Sequence, residues 1–423
     1  MAGTRRRHFL KATAAALLAA PYVWRRPARA AGGRIVVIGG GAGGATAARL
    51  LAVAGGGLDI TLVEPRTSYV TCFFSNLYIG GLRSLESLTH SYGVLSERYN
   101  VRLMHQVAVA IDPAARTVRL AGGDVLSWDR LIVAPGIDFQ WDAIEGYGPE
   151  AARTMPHAWQ AGEQTELLRR QLEAMDDGGI FLIAPPDTPY RCPTAPYERA
   201  SLVAHYFKRE KPKSRIIILD AKNDFPLQDL FQEAWGRFYP GMIEVLPADF
   251  AGGIRGVDPA AMRVMAEDEA FAVAVANVIP PQTAGRIAVQ SDLADRRGWC
   301  PVDPMTFEST SQRGIHVIGD AALASPMPKA AYAARGQAEI CARAILEALA
   351  GREAAAGVLG GACWSHVAPA HAVRERAAFA VVGGALQRIE LEISPTGESD
   401  AVREAAARQG EDWYAGISAD MFG

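Results

Sequence analysis

The five cysteines of this chain are the residues whose chemistry is most open. Cys192 and Cys300 stand among proline, aromatic and charged residues, which is typical of turns, and Cys72 comes soon after an apolar run. Spacing alone leaves these three thiols open between a structural and a reactive role, and the odd total leaves at least one sulfur for other chemistry. Cys341, in an alanine-rich stretch, and Cys363, before a tryptophan, are predicted to pack as small buried hydrophobes.

A glycine-rich loop near the start of the chain is the strongest local signal. Gly39, Gly41 and Gly44 follow the apolar run 34–38, and Glu64 ends the next such run, 20 positions after Gly44. In this pattern the glycines allow a tight turn, a close approach to pyrophosphate and close packing of helix on strand, while the acid hydrogen-bonds a ribose. The next helix offers free N–H groups to the phosphates. The order of strand, loop, helix, strand and acid predicts a dinucleotide site.

Two further segments favour FAD as the dinucleotide. Residues 128–136, which end at Gly136, resemble the second motif of flavoproteins with two dinucleotide-binding domains. Residues 314–320 resemble their third motif, in which Asp320 would hold the ribityl chain. The alternative role for Asp320 is that of a helix cap.

A second α/β region is informative because it lacks a glycine loop. The strand predicted at 180–184 is followed by Pro185 and Pro186, and a helix is predicted over 201–209. A nicotinamide site here would need backbone N–H groups that face phosphate, and proline has no N–H and a fixed φ. The sequence therefore predicts that NAD(P)H does not bind.

The order of the predicted strands and helices indicates an α/β fold, with two Rossmann-like dinucleotide-binding-type domains plus a mixed C-terminal interface domain. Three short antiparallel strands are expected at 107–111, 117–120 and 124–126. The predicted divisions are a signal peptide at 1–30, the FAD-binding domain in two parts at 31–160 and 286–350, the second domain at 161–285 and the C-terminal domain at 351–423.

The first thirty residues are predicted to be a targeting segment. Arg6 and Arg7 precede a short apolar run at 12–20, and residues 28–30 form an A-x-A cleavage site. This pattern resembles a twin-arginine signal and predicts a periplasmic protein; an uncleaved anchor or a basic tail is the alternative. No later stretch reaches 18 consecutive apolar residues, so we expect no stable membrane insertion of the mature chain.

Composition excludes several other classes. With 49% apolar and 21% charged residues, the chain is neither disordered nor fibrous. Its net charge of −3 and the lack of a basic stripe argue against a nucleic-acid partner. No Cys-x-x-Cys-His motif and no clustered Cys/His spacing occur. We therefore expect no c-type haem and no metal site on this chain.

Beyond these general signals, the chain resembles the flavoprotein subunit of flavocytochrome c sulfide dehydrogenase, among the sulfide:quinone oxidoreductase relatives of the disulfide reductases. The resemblance runs from about residue 34 to the end and is partial at 361–365 and weaker over 366–390. The stretches that carry it are more specific than the dinucleotide glycines: 71–72, 75–76, 79–82, 192–193, 196–200, 298–303, 327–329 and 420–423.

The resemblance implies roles for several residues. It implies that FAD is attached covalently to Cys72 through a thioether, and that Cys192 and Cys300 form a redox-active disulfide beside the flavin. It implies that Glu198 lies near this disulfide as a general base, for which the alternative is a surface ion pair with Arg199.

The resemblance also implies an activity and a partner. Sulfide would be oxidised to sulfur or polysulfide, and the electrons would pass to a c-type cytochrome subunit. Lys329 would lie near the pyrimidine edge of the flavin, and Trp413 between flavin and haem, unless it only packs at an interface. A sulfide:quinone oxidoreductase, which would need an amphipathic C-terminus where 402–409 reads as short and polar, is one alternative. An accessory flavoprotein of a sulfur-oxidation system is the other.

Overall fold

The computed structural model describes residues 32–423, so the predicted signal segment lies outside the described residues. A first sheet of five parallel strands contains the glycine loop at the end of its central strand. These strands are apolar and largely buried, as expected for a parallel sheet covered on both faces. In spatial order they are Ile315–Val317, Arg130–Val133, Arg34–Ile38, Asp59–Val63 and Arg102–Met104.

A second parallel sheet has four strands and lies in the central part of the chain. The strand predicted at 180–184 is confirmed as Ile180–Ala184 and is buried over its last four residues. In spatial order the strands are Ile243–Leu246, Arg215–Leu219, Ile180–Ala184 and Val275–Val278. Two parallel sheets of this kind confirm the predicted fold class.

Smaller antiparallel sheets connect these layers. The predicted group near residue 110 is confirmed, with its first and last strands moved by one residue. The small sheets consist of Ala108–Asp112, Thr117–Leu120 and Val125–Ser127; Ile137–Phe139 and Gln282–Ala284; Gly256–Asp258, Arg263–Met265 and Ala270–Ala272; and Ser68–Val70 and Thr89–Ser91. One parallel pair joins Cys300–Pro301 to Ala322–Leu323.

Helices cover the sheets. The α-helices of the described residues are Ala42–Ala54, Ser75–Ile79, Gly93–Glu97, Glu163–Ala174, Ala195–Glu210, Gln228–Phe238, Ala248–Ala251, Arg286–Gln290, Ala331–Leu349 and Asp400–Phe422. Helix Ala331–Leu349 packs against helix Ala42–Ala54, which follows the glycine loop. No helix among residues 32–423 is long and apolar enough to cross a membrane.

The C-terminal segment forms an antiparallel sheet of Leu359–Ala368, His371–Val382 and Ala385–Ile393. Its last helix, Asp400–Phe422, has 23 residues, so the stretch read as short and polar belongs to a long helix. The strand Leu359–Ala368 packs against helix Ala195–Glu210 and against helix Ala331–Leu349. This strand therefore lies between helices that come from two different parts of the chain.

Two glycines of the first loop are required by packing. Gly39 has φ +97°, in the left-handed region, and a Cβ added there would lie 2.2 Å from the carbonyl oxygen of Ala134. A Cβ on Gly44 would lie 1.9 Å from the carbonyl oxygen of Gly39. Backbone atoms cannot yield as a flexible side chain can, so the helix can approach the strand only with glycine at these positions.

We expect Gly44→Ala to lower the free energy of unfolding by about 2 kcal/mol or more, because the added methyl group meets backbone. The measurement is thermal unfolding of the isolated protein, together with its flavin content. Gly416→Ala is the matched control, since nothing lies within 4 Å of its added Cβ in the last helix, and it should raise stability by up to about 1 kcal/mol. Equal stability of the two variants would contradict the packing argument.

Candidate functional site: two cavities that share a cysteine wall

The larger cavity, of about 570 Å³, lies at the carboxyl end of the first sheet. Its volume is in the range of cofactor and ligand sites. Six of the residues predicted to bind the cofactor line it, namely Gly39, Gly41, Glu64, Cys72, Gly136 and Asp320. Gly44 packs behind this lining, and Lys329 lines a small adjoining cleft with Gly319 and Asp320.

The loop at the floor of this cavity leaves room for phosphate. Gly41 precedes the 13-residue helix Ala42–Ala54, and no side chain caps the N–H groups of that helix. A Cβ on Gly41 would touch only the ring of Tyr69, at 3.8 Å, so the space beside Gly41 is open. The Glu64 carboxylate accepts a hydrogen bond from the Gly40 N–H at 2.9 Å, which holds the acid beside the loop. These features fit a pyrophosphate at a helix N-terminus.

An ion pair forms the opposite wall. The Arg191 Nε donates to the Asp320 carboxylate at 2.6 Å, and both side chains are nearly buried. The Lys329 ammonium donates to the carbonyl oxygens of Asp320 and Ala322 at 2.7 and 3.1 Å and lies 3.6 Å from the ring centre of Trp299. Burial lowers the pKa of Lys329 to about 8. Asp320 therefore holds Arg191 through its carboxylate as well as lining the cavity.

The smaller cavity, of about 180 Å³, lies behind Cys72 and Cys192, which line both cavities. Its walls carry three thiols, those of Cys72, Cys192 and Cys363, and two carboxyl groups, those of Glu198 and Glu375. Because the cavity is mostly apolar and small, charges inside it are poorly solvated. It is the place in the described structure where thiols, acids and the cofactor-sized cavity meet.

Cys192 is held in an unusual backbone conformation. Its φ is +52°, which is uncommon for a residue with a side chain and often marks functional positions. Its N–H donates to the Lys329 carbonyl at 2.8 Å, and its carbonyl accepts from the Ala195 N–H at 3.0 Å. The Cys192 thiol is hydrogen-bonded to the Cys72 thiol, and this bond, followed by the charge of Arg191, lowers the pKa of Cys72 to about 6 although burial opposes it.

The structure does not place Cys300 in this site. All five cysteines are free thiols. Cys300 is fully buried in its short strand and lines neither cavity, and burial raises the pKa of its thiol to about 12. The pairing with Cys192 that the resemblance implied thus finds no geometric support here.

Cys363, which we expected to be structural, lines the smaller cavity with Cys192. Burial raises the pKa of its thiol, and the charges of Glu375 and Glu198 act in the same direction. Its strand reaches the cavity because Leu359–Ala368 packs on helix Ala195–Glu210. Only the alternation of side chains along a strand, combined with a prediction of this long-range packing, could have found it from the sequence.

Glu198 lies where the resemblance implied, at the cavity beside Cys192. Its carboxylate accepts the His366 N–H at 2.8 Å and the Asn76 side-chain amide at 2.7 Å. Burial raises the pKa of Glu198 to about 7. Arg199 is buried rather than on the surface, and its guanidinium donates to Asn76 and Asn277. A surface ion pair is therefore the wrong description of Glu198.

Trp413 lines the smaller cavity within an aromatic cluster. Its ring centre lies 5.6 Å from that of Phe73, 6.2 Å from that of Phe74 and 5.8 Å from that of Trp364. Phe73 follows Cys72 directly, so this cluster connects the cysteine wall to the C-terminal helix. Among residues 32–423 no group of three or more His, Cys, Asp and Glu side chains is placed to hold a metal ion.

Three family models match successive parts of the chain. Residues 33–171 match the pyridine nucleotide-disulphide oxidoreductase model, and residues 165–280 match the central domain of the sulfide dehydrogenase (flavocytochrome c) flavoprotein chain. Residues 355–422 match the flavin-binding domain of flavocytochrome c sulphide dehydrogenase. Together these matches support the flavocytochrome c sulfide dehydrogenase flavoprotein family. The predicted resemblance is thereby confirmed.

Individual relatives agree with this family. The chain is 25% identical over 301 residues to mouse mitochondrial sulfide:quinone oxidoreductase, a match that covers 68% of this chain but only 65% of the mouse protein. The structure of sulfide:quinone oxidoreductase from Aquifex aeolicus has a TM-score of 0.72 at 16% identity, over 92% of each chain. An NAD-dependent persulfide reductase from A. fulgidus has a TM-score of 0.61 at 16% identity, over 89% of this chain and 77% of that one. These structures share the fold.

The matches to the family support FAD as the cofactor of this flavoprotein, and the larger cavity fits it. The loop at Gly41 would hold the pyrophosphate, Glu64 the ribose, and Asp320 the ribityl chain, which would place the isoalloxazine near Cys72. The fit rests on the open space beside Gly41 and on the uncapped helix N-terminus. The thioether and the position of Lys329 at the flavin edge remain predictions.

The carboxyl end of the second sheet is crossed by hydrogen bonds between side chains and backbone. After strand Ile180–Ala184, the Pro186 carbonyl accepts the Lys222 ammonium at 3.0 Å, and Lys222 pairs with Asp220 at 2.5 Å. The Tyr197 hydroxyl donates to the same Asp220 carboxylate at 2.6 Å. Side chains of the protein thus already bond the acid that follows the second strand of this sheet.

We expect NADH to leave the bound flavin oxidised, because the proline loop offers no phosphate site. The measurement is the flavin absorbance during an anaerobic titration with NADH, with dithionite as the positive control for reduction. Bleaching at micromolar NADH would show that the loop after Ala184 does bind the nucleotide.

Proposed function

We propose that this oxidoreductase oxidises sulfide in the smaller cavity and passes the electrons across the cysteine wall to FAD in the larger one. The observation that carries the proposal is the arrangement of the two cavities, which share Cys72 and Cys192 while Cys363 and Glu198 line the smaller one. The family and its sulfide-oxidising relatives support the choice of substrate.

In this proposal the redox-active disulfide joins Cys192 to Cys363 rather than to Cys300. Hydrosulfide attacks one sulfur, so that a new sulfur–sulfur bond forms, the disulfide breaks, and one persulfide and one thiolate remain. A second hydrosulfide attacks the persulfide, releases a two-sulfur chain and leaves two thiols. Reoxidation of these thiols to the disulfide delivers two electrons. FAD, when bound, supplies the acceptor for the electron pair and passes electrons on singly.

The surroundings of the pair suit this exchange. Glu198, with its pKa near 7, can take a proton from hydrogen sulfide or from a thiol at neutral pH. The His366 N–H and the Asn76 amide hold its carboxylate at the cavity. The left-handed backbone at Cys192 fixes the position of that thiol. Each role follows from where the side chain is held.

The acceptor we propose is a c-type cytochrome subunit, as the name of the family suggests. Trp413 would relay electrons, because its aromatic cluster runs from Phe73, beside Cys72, to the C-terminal helix. We further propose that the protein works in the periplasm after twin-arginine export, on the basis of the first thirty residues. The similarity to sulfide:quinone oxidoreductases makes a quinone the second candidate acceptor.

The acceptor is tested with the purified protein and anaerobic sulfide. We expect added c-type cytochrome to be reduced, with little or no reduction of decylquinone. Turnover with decylquinone and none with cytochrome c would favour the quinone reductase alternative.

We expect Cys192→Ala and Cys363→Ala each to lower sulfide turnover about a thousandfold or more, because members of one catalytic unit fail together. Cys300→Ala, a buried thiol outside both cavities, should stay within a few-fold of the parent. The measurement is kcat with sulfide, with flavin content checked in each variant. Loss of activity in Cys300→Ala but not in Cys363→Ala would instead support the Cys192–Cys300 disulfide that the resemblance implied. Full turnover without Cys192 would favour an accessory role.

We expect kcat to fall as pH drops through about 7, because Glu198 must be ionised to accept a proton and burial has raised its pKa to that value. Glu198→Gln should lower kcat at pH 8 by about a hundredfold and remove this acid limb. The measurement is the pH profile of kcat, because kcat reports ionisations in the enzyme–substrate complex, whereas kcat/KM also contains the ionisation of free hydrogen sulfide. An unchanged acid limb in Glu198→Gln would assign it to another group.

We expect the flavin to remain with the protein after acid precipitation, and to be released from Cys72→Ala. The physical reason is that the Cys72 thiol borders the larger cavity with a pKa near 6, so it is a nucleophile at neutral pH. The measurement is flavin absorbance in pellet and supernatant. Free FAD in the supernatant of the parent protein would rule out the thioether.

A further inference from the structure

Cys72 and Cys192 share the wall between the two cavities, which gives the protein a second possible cysteine pair. Both thiols line both cavities, so small molecules can reach them. A hydrogen bond to Cys192 is the main cause that lowers the pKa of Cys72, and a disulfide forms only between cysteines whose side chains approach each other closely. Neither the family matches nor the mechanism above assigns a function to this contact.

The charges around the pair favour reaction of Cys72. Arg191 faces the thiol with its positive charge, while the Asp320 carboxylate, to which Arg191 is bonded, acts in the opposite direction. Tyr69 is the other titratable neighbour, and its hydroxyl is neutral because its pKa is raised. The balance leaves Cys72 with a lowered pKa, and the thiolate is the form that attacks a disulfide.

Cys192 can pair with only one partner at a time, and its candidates are Cys72 and Cys363. We propose that Cys72 and Cys192 form a disulfide in the polypeptide before FAD is attached, and that this bond controls attachment of the cofactor. The inference rests on the proposed function, in which Cys72 carries FAD and Cys192 later pairs with Cys363.

The chemistry of the proposal balances. A disulfide oxidant such as oxidised glutathione is attacked by the Cys72 thiolate, and the Cys192 thiol then displaces the second glutathione, so that two glutathione thiols leave and one protein disulfide forms. A dithiol reductant reverses the reaction. Attachment joins the Cys72 sulfur to the ring methyl carbon, and the two displaced hydrogens with their electron pair stay on the flavin until dioxygen removes them as hydrogen peroxide. While the sulfur is in a disulfide, attachment cannot begin.

The order of events then follows from sulfur chemistry. Reduction of the Cys72–Cys192 disulfide frees the nucleophile, attachment of FAD removes Cys72 from any further pairing, and Cys192 is left to Cys363. While Cys192 is bonded to Cys72, the catalytic disulfide with Cys363 cannot form, and once FAD occupies Cys72 the competing pair cannot return.

The test uses the full chain produced in a riboflavin-auxotrophic host, so that FAD is not yet attached. After treatment with oxidised glutathione, peptide mapping under non-reducing conditions should find Cys72 linked to Cys192. This oxidised protein should attach less than a tenth of the FAD that the same sample attaches after dithiothreitol, measured as flavin in the acid-precipitated pellet. Cys341→Ala, which removes a buried thiol remote from both cavities, should behave as the parent.

Each outcome decides the proposal. A Cys192–Cys363 or Cys192–Cys300 linkage in the cofactor-free chain, or equal attachment in oxidised and reduced samples, overturns it. If the reduced parent attaches no FAD at all, the thioether fails while the linkage map still reports on the cysteine pair. Cys192→Ser is the second variant. After treatment with oxidised glutathione, we expect this variant to carry a glutathione on Cys72, and the added mass distinguishes that product from a disulfide within the chain. A disulfide between Cys72 and another cysteine of this variant would also overturn the proposal.

Discussion

The site depends on the nearly buried ion pair between Arg191 and Asp320, which joins the loop after the first strand of the second sheet to the turn that follows the last strand of the first sheet. Breaking such a pair would leave a charge without a partner in a poorly solvated place, so the two loops are held together firmly. Gly136 beside this pair has φ +69°, in the left-handed region that favours glycine, and a Cβ there would lie 2.8 Å from the Arg191 guanidinium. Cys192 follows Arg191 directly, so its position is fixed by this ion pair and by the hydrogen bond from its own N–H to the Lys329 carbonyl.

Hydrogen bonds and burial also determine the protonation of Glu198, the acid of the smaller cavity. Asn76 lies between two ionisable groups, the half-buried Glu198 and the buried Arg199, and its amide donates to Glu198 while its oxygen accepts from Arg199. Burial lowers the pKa of Arg199 to about 9 and raises that of Glu198 to about 7. Because the two charges are bridged by a neutral amide and do not form a direct salt bridge, Glu198 keeps the ability to exchange a proton near neutral pH.

Local patterns were sufficient for much of this architecture. The glycine loop and the strand at 180–184 are short-range signals, and the structure has both. The helix predicted at 201–209 begins earlier, at Ala195, because a proline in the first turn of a helix loses no hydrogen bond. Pro196 therefore lies in the first turn of this helix.

Cys363 could not be assigned in this way. Its neighbours in sequence are ordinary strand residues, and its place in the cavity comes from the packing of its strand on a helix more than 150 positions earlier. Cys300 shows the opposite case. Tryptophan and proline flank it in the sequence, which is typical of a turn, but the residue lies in a short buried strand that pairs with Ala322. Composition around a cysteine reports its local backbone, whereas reactivity depends on which elements converge on it.

The last segment of the chain completes the enclosure of the reactive thiols. Tyr414 of the C-terminal helix is hydrogen-bonded to the Thr71 hydroxyl at 3.1 Å, and the ring of Phe422 stacks on His90 at 5.1 Å. Arg335 pairs with Asp420, so helix Ala331–Leu349 holds the same end. The helix therefore packs over the segment that carries Cys72. These contacts join the two ends of the described chain at the cysteine wall, so the surroundings of Cys72 depend on the C-terminal helix as well as on the first sheet.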